Sequence, residues 1–310
     1  MTGRARVSVV IAVSDAETHL QAAVRSALAA ADDELEVLVV DNGSTDRSAA
    51  VVAGERDPRL LRLRLRPGQG AARPRNVGIA RATAPYVAFL DPNDRLEPGR
   101  LCAAANMLDR HPEAGFAFAD FACIDTSGNI IRPSGMAGFS AFAALAREPL
   151  AGNWSLIRQA HLSRVLLYGQ YIGTSGAVVR RQLFTEIGPL DEEAACCTDL
   201  DLWFRLAHRC DALYSSDRGH AQREQPGVNT GATRAAVEEC NAVLRRERGR
   251  WSERAARREL DRRIAENLAQ VALEERRRRH RLRSMAMFAY AFATCPEIRW
   301  LGGMLSTMVP

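Results

Sequence analysis

Two uninterrupted apolar runs, VSVVIAV (Val7–Val13) and LEVLVVD (Leu35–Asp41), constrain the fold more than any other feature of the chain. A strand with one wet face alternates apolar and polar residues, whereas a strand without a polar face must be covered on both sides. Between the two runs, Leu20, Ala23, Val24, Ala27 and Leu28 recur at helical spacing, which predicts a helix over Ala16–Ala30. A short helix over Ser48–Gly54, a more exposed strand LLRLRL (Leu60–Leu65) and a further strand PYVAFLD (Pro85–Asp91) continue the alternation. Strand and helix in turn predict an α/β architecture, a mostly parallel, Rossmann-like sheet flanked by helices.

Ligands of such sheets lie beyond the carboxyl ends of the strands. Two strands here end in aspartate, Asp41 and Asp91. Each could merely cap the following turn, but two acids at matching ends also describe a site. Asp41 can accept an N–H from a nucleobase. Asp91, Asn93 and Asp94 in FLDPND offer oxygens to a hard cation such as Mg²⁺ or Mn²⁺. The segment GQGAARPRN begins like a dinucleotide fingerprint, but Arg73 stands where its third glycine belongs. Arg73 and Arg75 are instead suited to phosphate or base. Downstream, a helix is expected over Arg100–Arg110, a strand AGFAFADF ending near Asp120, a strand over Thr174–Arg181 and a helix over Thr198–Ala207.

The chain has 310 residues, 47% hydrophobic and 25% charged, which excludes a mainly disordered protein. All 42 basic residues are arginine, a bias most simply ascribed to codon usage. From about Thr233 the composition shifts to Arg, Glu and Ala, with Leu260, Ile264, Leu268 and Val271 forming one helical stripe. The arginines lack interleaved aromatics or a known motif, so nucleic acid is not expected as a partner. Seven cysteines, an odd count without CxxC, read as mostly buried thiols in a reducing compartment. The adjacent pair Cys196–Cys197 suits no ordinary bridge. The N-terminal apolar run meets Asp15 at once and reads as a strand, not a leader. The sequons at Asn42 and Asn153 then carry no weight.

Four segments in order, VSVVIAVSDAETHL, VLVVDNGSTDRS, RPRNVGIARATAPYVAFLDPND and IGTSGAVVRRQLFTEIGPLDEE...TDLDLWFRLA, resemble family 2 glycosyltransferases over about Val7–Ala207. The resemblance implies a GT-A fold in residues 1–230 and leaves 231–310 as a helical extension. It implies that Asp41 recognises the donor's base, that Ser14 and Arg75 lie close to the nucleotide, and that Asp91 meets the donor. Asp91, Asn93 and Asp94 correspond to the element that binds Mg²⁺ or Mn²⁺ with the donor diphosphate. Asp199 in TDLD corresponds to the general base. The implied function is inverting transfer of one sugar, from a UDP- or dTDP-linked donor to a glycan or glycolipid, in bacterial surface-polysaccharide assembly. The processive QxxRW motif is absent, in keeping with a single addition.

The sequence also departs from the pattern. Asn93 replaces an acid and weakens the expected cation site. Thr198 replaces a glutamate, Ala12, Ser14 and Asp15 stand where Pro, an aromatic and Asn are common, and Gln225 stands where a histidine often precedes Pro-Gly, with His220 five residues earlier. These changes keep open a second reading, a nucleotide-sugar-binding scaffold with impaired catalysis. For the C-terminal arm, Arg276–Arg283 followed by Met285–Ala293 suits an anionic membrane surface with Trp300 at the interface, and equally suits helices packed on the catalytic domain or in a homo-oligomer. The expected location is cytoplasmic, or peripheral on the inner face of the plasma membrane.

Overall fold

The computed structural model describes residues 5–30, 34–68, 70–194, 196–224 and 234–308. The chain divides into two units: residues 1–194 with 202–226, and residues 195–201 with 227–310. Gln225 lies outside the described residues.

The first unit opens with β1 (Val7–Val13), α1 (Leu20–Ala29), β2 (Leu35–Asp41), α2 (Ser48–Ala53), β3 (Leu60–Arg64), α3 (Ala72–Arg81) and β4 (Tyr86–Phe89). β2 and β4 flank β1, and β3 flanks β2, all in parallel. The two apolar runs are covered on both faces as their composition requires: Val7, Val9, Ile11, Val37 and Val40 have no exposed surface. α1 begins at Leu20, four residues later than the apolar spacing predicts, because Asp15 and Glu17 are engaged with the turn after β2. Gly78 brings α3 down on β1, since a Cβ there would stand 2.3 Å from a Val10 methyl carbon.

The unit continues with β5 (Arg95–Leu96), α4 (Arg100–Arg110), β6 (Ala114–Ile124), β7 (Ile130–Arg132), α5 (Ser140–Ala143), β8 (Glu148–Pro149), β9 (Trp154–Ile157), α6 (Gln159–Val165), β10 (Val178–Arg180) and α7 (Leu183–Ile187). α8 (Thr198–Ala207), of which the residues from Leu202 belong to this unit, and β11 (Asp211–Arg223) follow. The strand order is β3-β2-β1-β4-β10-β6-β11-β9-β8. The sheet is therefore parallel on one side and mixed on the other. β10 is antiparallel to both neighbours, and only Val178–Arg180 is strand. The segment Thr174–Ala177, expected to begin that strand, is instead a turn set by Gly176 at φ +76°. Leu202, Phe204 and Leu206 of α8 are fully buried.

The second unit contains α9 (Arg234–Arg250), α10 (Arg254–Arg277), α11 (Arg281–Thr294) and α12 (Ile298–Met308). The stripe Leu260, Ile264, Leu268 and Val271 is buried along α10. Asn267 Nδ2 donates to Asn241 Oδ1 at 2.8 Å, joining α10 to α9, and Ser284 Oγ donates to the Ala272 carbonyl at 2.7 Å, joining α11 to α10. Two expectations are corrected here. Cys197 and Cys240 form a disulfide, so not every cysteine is a thiol. Their separation of 43 residues carries no local signal, and helix α9 brings Cys240 to the turn before α8. Trp300 is buried rather than held at an interface, with the Arg299 guanidinium 4.2 Å from its ring centre. No helix among the described residues is long and apolar enough to cross a membrane.

Candidate active site

Asp41 pairs in register with Val13, and Phe89 with Val10. The Leu90 N–H then donates to the Val10 carbonyl at 3.0 Å, carrying Asp91 past the sheet on the other side of β1. With strands ~4.8 Å apart, Asp41 and Asp91 stand roughly 10 Å from each other across β1, at one edge. The strand-end reading of these two acids thus becomes a single surface.

Asp41 is buried. Its Oδ1 accepts the Ser44 N–H at 2.8 Å, a contact made by the turn that Gly43 permits at φ +80°. Its Oδ2 accepts no hydrogen bond; Arg64 Nε lies 3.5 Å away, in ion-pair range but outside hydrogen-bond geometry. The neighbouring Asn42 uses its Nδ2 to donate to the Gly70 carbonyl, while its buried Oδ1 has no donor. Asp41 Oδ2 is thus a buried acceptor without a donor; buried polar atoms are nearly always paired, so it is suited to an external donor. Asp41 also borders a cavity of about 180 Å³ lined by Val13, Val39, Ser48, Val52 and Arg64. Ser14 is exposed at the end of β1. Asp15 Oδ1 accepts the Thr45 N–H at 2.7 Å and so ties that end to the turn after β2.

Across β1, Arg75 on α3 donates from Nη2 to Asp91 Oδ1 at 2.9 Å; the guanidinium is mostly buried and the carboxylate half exposed. Arg73 pairs with Glu192 at 3.3 Å, both side chains partly exposed. Asp91, Asn93 and Asp94 share one turn but not one environment. Asp94 is buried: its Oδ2 accepts from Ser175 Oγ at 2.6 Å and its Oδ1 from the Arg223 N–H at 2.9 Å. Burial, with the nearby Asp91 charge, pushes the Asp94 carboxyl up to about 7, against the pull of its two donors. Among the described residues, no three or more His, Cys, Asp or Glu side chains form a metal-holding group.

Sequence reasoning missed two residues that build this turn. Ser175 accepts the Asp91 N–H at 3.1 Å while donating to Asp94. Arg223 donates from its guanidinium to the carbonyls of Asn93, Asp125 and Thr126 at 3.1, 2.6 and 2.9 Å. The signal for Ser175 was its place between Gly173 and Gly176, which leave space for the buried ring of His220. Arg223 carried no signal. Asp199 lies in the second unit, in the first turn of α8, where its Oδ1 accepts the Leu200 N–H at 2.9 Å. Beside it, Thr198 is buried and Asp201 pairs with Arg246 at 3.0 Å.

A parallel sheet ordered β3-β2-β1-β4, with acids at the ends of β2 and β4 on either side of β1 and a mixed half beyond, defines an α/β fold of the GT-A-like class. Residues 8–188 match glycosyl transferase family 2, and the chain belongs to that family. Its relatives include an uncharacterized glycosyltransferase of Haemophilus influenzae, 30% identical over 41% of this chain and 51% of that one. The succinoglycan biosynthesis protein ExoO of Rhizobium meliloti is 38% identical over 36% of this chain and 31% of its own. The chain thus spans about half, or less, of these curated relatives. Among solved structures, S. aureus TarS 1–349 in complex with UDP-GlcNAc superposes with a TM-score of 0.64 at 19% identity, covering 97% of this chain and 89% of the 1–349 chain, a likeness of fold.

Proposed function

We propose that this chain is an inverting glycosyltransferase that moves a single sugar from a nucleoside-diphosphate donor to a glycan or glycolipid of the bacterial surface. The observation that carries the reading is the buried, donorless Asp41 Oδ2 at one side of β1, with the Arg75–Asp91 pair on the other. Asp41 has one oxygen committed to Ser44 and one left. A single remaining acceptor suits the lone imide N–H of uracil or thymine better than guanine, which presents two adjacent donors. Ser14 and Asp15 border the nucleotide at the end of β1. Arg75 supplies positive charge where the diphosphate lies.

Asp199 is the assigned base. It takes the proton of the acceptor hydroxyl as that oxygen bonds to the anomeric carbon, and the bond from this carbon to the diphosphate oxygen breaks with its electrons on the leaving group. Attack from the face opposite the diphosphate inverts the configuration.

Family membership brings an expectation of a divalent cation. Asp94 has both oxygens engaged inside the protein, which leaves the Asp91 carboxylate and the Asn93 amide as donors. Two protein oxygens fit Mg²⁺ or Mn²⁺ that is shared with phosphate, the common mode for Mg²⁺, rather than a protein-only cage. Such an ion would supply charge neutralisation to the leaving diphosphate.

Relatives named for succinoglycan and O-antigen biosynthesis support the surface-polysaccharide assignment. A lipid-borne acceptor would place the enzyme at the inner face of the plasma membrane. The reading is tested by calorimetry with UDP, dTDP and GDP, with and without Mn²⁺, and by assaying sugar transfer. Tighter GDP binding would overturn the base assignment. The second reading, a binding scaffold, is favoured by Asn93 and Thr198; tight UDP binding with neither transfer nor donor hydrolysis would establish it.

A further inference from the structure

The helical unit presents an apolar face that packing among the described residues does not use. On α12, Trp300 and Thr307 turn inward, whereas Ile298, Leu301 and Leu305, spaced three and four residues apart, form one outward stripe. Ile298 is 86% exposed and Leu305 64%. α11 adds Leu282, 83% exposed, and Tyr290, 54% exposed. A helix that is apolar on both its buried and its solvent face needs a second covering.

The charge beside this stripe identifies the covering. Arg276 Nη1 donates to Ser306 Oγ at 2.7 Å, and the hydroxyls of Ser284 and Thr307 lie 3.5 Å apart. The last turn of α12, which carries Leu305, therefore sits against the end of α10 and the start of α11. There Arg279, Arg281 and Arg283 are exposed around Leu282, and their guanidinium groups make no ion pair or hydrogen bond among the described residues. An isologous dimer would bring this patch against its own copy and set the arginines near one another without counter-charge. An anionic lipid surface offers phosphate to the guanidinium groups and hydrocarbon to the leucines in one plane.

We propose that the outward face of α12, with the first turn of α11, docks on anionic phospholipid, Leu282, Ile298, Leu301 and Leu305 entering the interface and Arg279, Arg281 and Arg283 meeting headgroup phosphates. This extends the inner-face location suggested above, yet it does not depend on the transfer chemistry.

Flotation of the full chain with phosphatidylcholine vesicles, with and without phosphatidylglycerol, tests it. Binding is expected only with phosphatidylglycerol and is weakened by salt. Replacing Arg279, Arg281 and Arg283 together by glutamine should weaken it by roughly a hundredfold. Ile298→Ser with Leu305→Ser should abolish it while far-ultraviolet circular dichroism and UDP affinity stay unchanged. Equal binding to both vesicle types, or binding that survives both sets of changes, would overturn the proposal. So would a dimer seen by light scattering that the serine changes dissociate, since a second copy would then cover the face. Loss of transfer with vesicle binding intact would count against the enzymatic reading alone.

Discussion

Ser175 Oγ lies 2.6 Å from Asp94 Oδ2 and 3.1 Å from the Asp91 amide nitrogen, so one hydroxyl holds both acids of the turn that follows β4. The turn thereby sorts its carboxylates: Asp94 inward as a brace, Asp91 outward toward Arg75. Ser175→Ala leaves the buried Asp94 short of a donor, at a cost of about 1–3 kcal/mol. Urea denaturation should show that loss, and UDP affinity should fall with it as Asp91 drifts. An unchanged midpoint would remove Ser175 from this role.

Asp41→Asn keeps an oxygen for the Ser44 N–H and puts an amide donor, or a weaker acceptor, where the base's N–H arrives. A hydrogen bond to a charged acceptor is worth ~1.5–3 kcal/mol, so the dissociation constant for UDP should rise by roughly ten- to hundredfold. Calorimetry measures this, and thermal unfolding should be nearly unaffected. Arg64 approaches Asp41 from a mostly exposed position, so Arg64→Ala should change stability by no more than about 1 kcal/mol.

Asp199→Asn should lower kcat by about a hundred- to ten-thousandfold with little change in donor KM, because the amide cannot take a proton. Single-turnover assays with a saturating acceptor separate this from a binding defect. Turnover at the wild-type rate would transfer the role to another group.

His220 is buried, its ring stacked on Phe121 with centres 5.3 Å apart. Burial lowers its pKa to about 4, against the pull of Asp91 and Asp120. A lowered pKa means that the unfolded chain binds the proton first. The stability from the neutral ring is complete above the unfolded value, near 6.5, and is lost as pH falls toward 4. Buried Asp94, its carboxyl pushed up to about 7, acts in the opposite direction over this window, so the His220 contribution, up to ~1.4 kcal/mol per pH unit, is read as the difference between wild type and variant. Relative to His220→Phe, which keeps the aromatic packing, the wild type should lose stability as pH falls from 6.5 toward 4; identical slopes would show that His220 contributes nothing.

The Cys197–Cys240 bond closes a separation of 43 residues. Chain-entropy reasoning gives an upper value of ~4 kcal/mol for such a loop. Cys240→Ser, or reduction, should therefore lower the melting temperature, and alkylation in denaturant before reduction should modify five of the seven cysteines. Modification of all seven would show that the bond is not formed.

The sequence by itself determined the parallel half of the sheet and the strand-end positions of Asp41 and Asp91. Both follow from local rules: a strand lacking a polar face must be sandwiched, and the chain leaves such a sheet at its carboxyl edge, where polar residues collect. The helix Thr198–Ala207 and the buried stripe of α10 were legible for the same reason, since periodicity is a property of neighbours. Only the tertiary structure decided which acid is buried and which is half exposed. That choice rests on Ser175 and Arg223, which are 81 and 129 residues from Asp94 in sequence and reach it through antiparallel β10 and the long strand β11. Tertiary packing likewise joined Cys197 to Cys240, turned Trp300 inward and left Ile298 and Leu305 outward. Helical spacing says which residues share a face, but only the packed neighbours decide which face is covered.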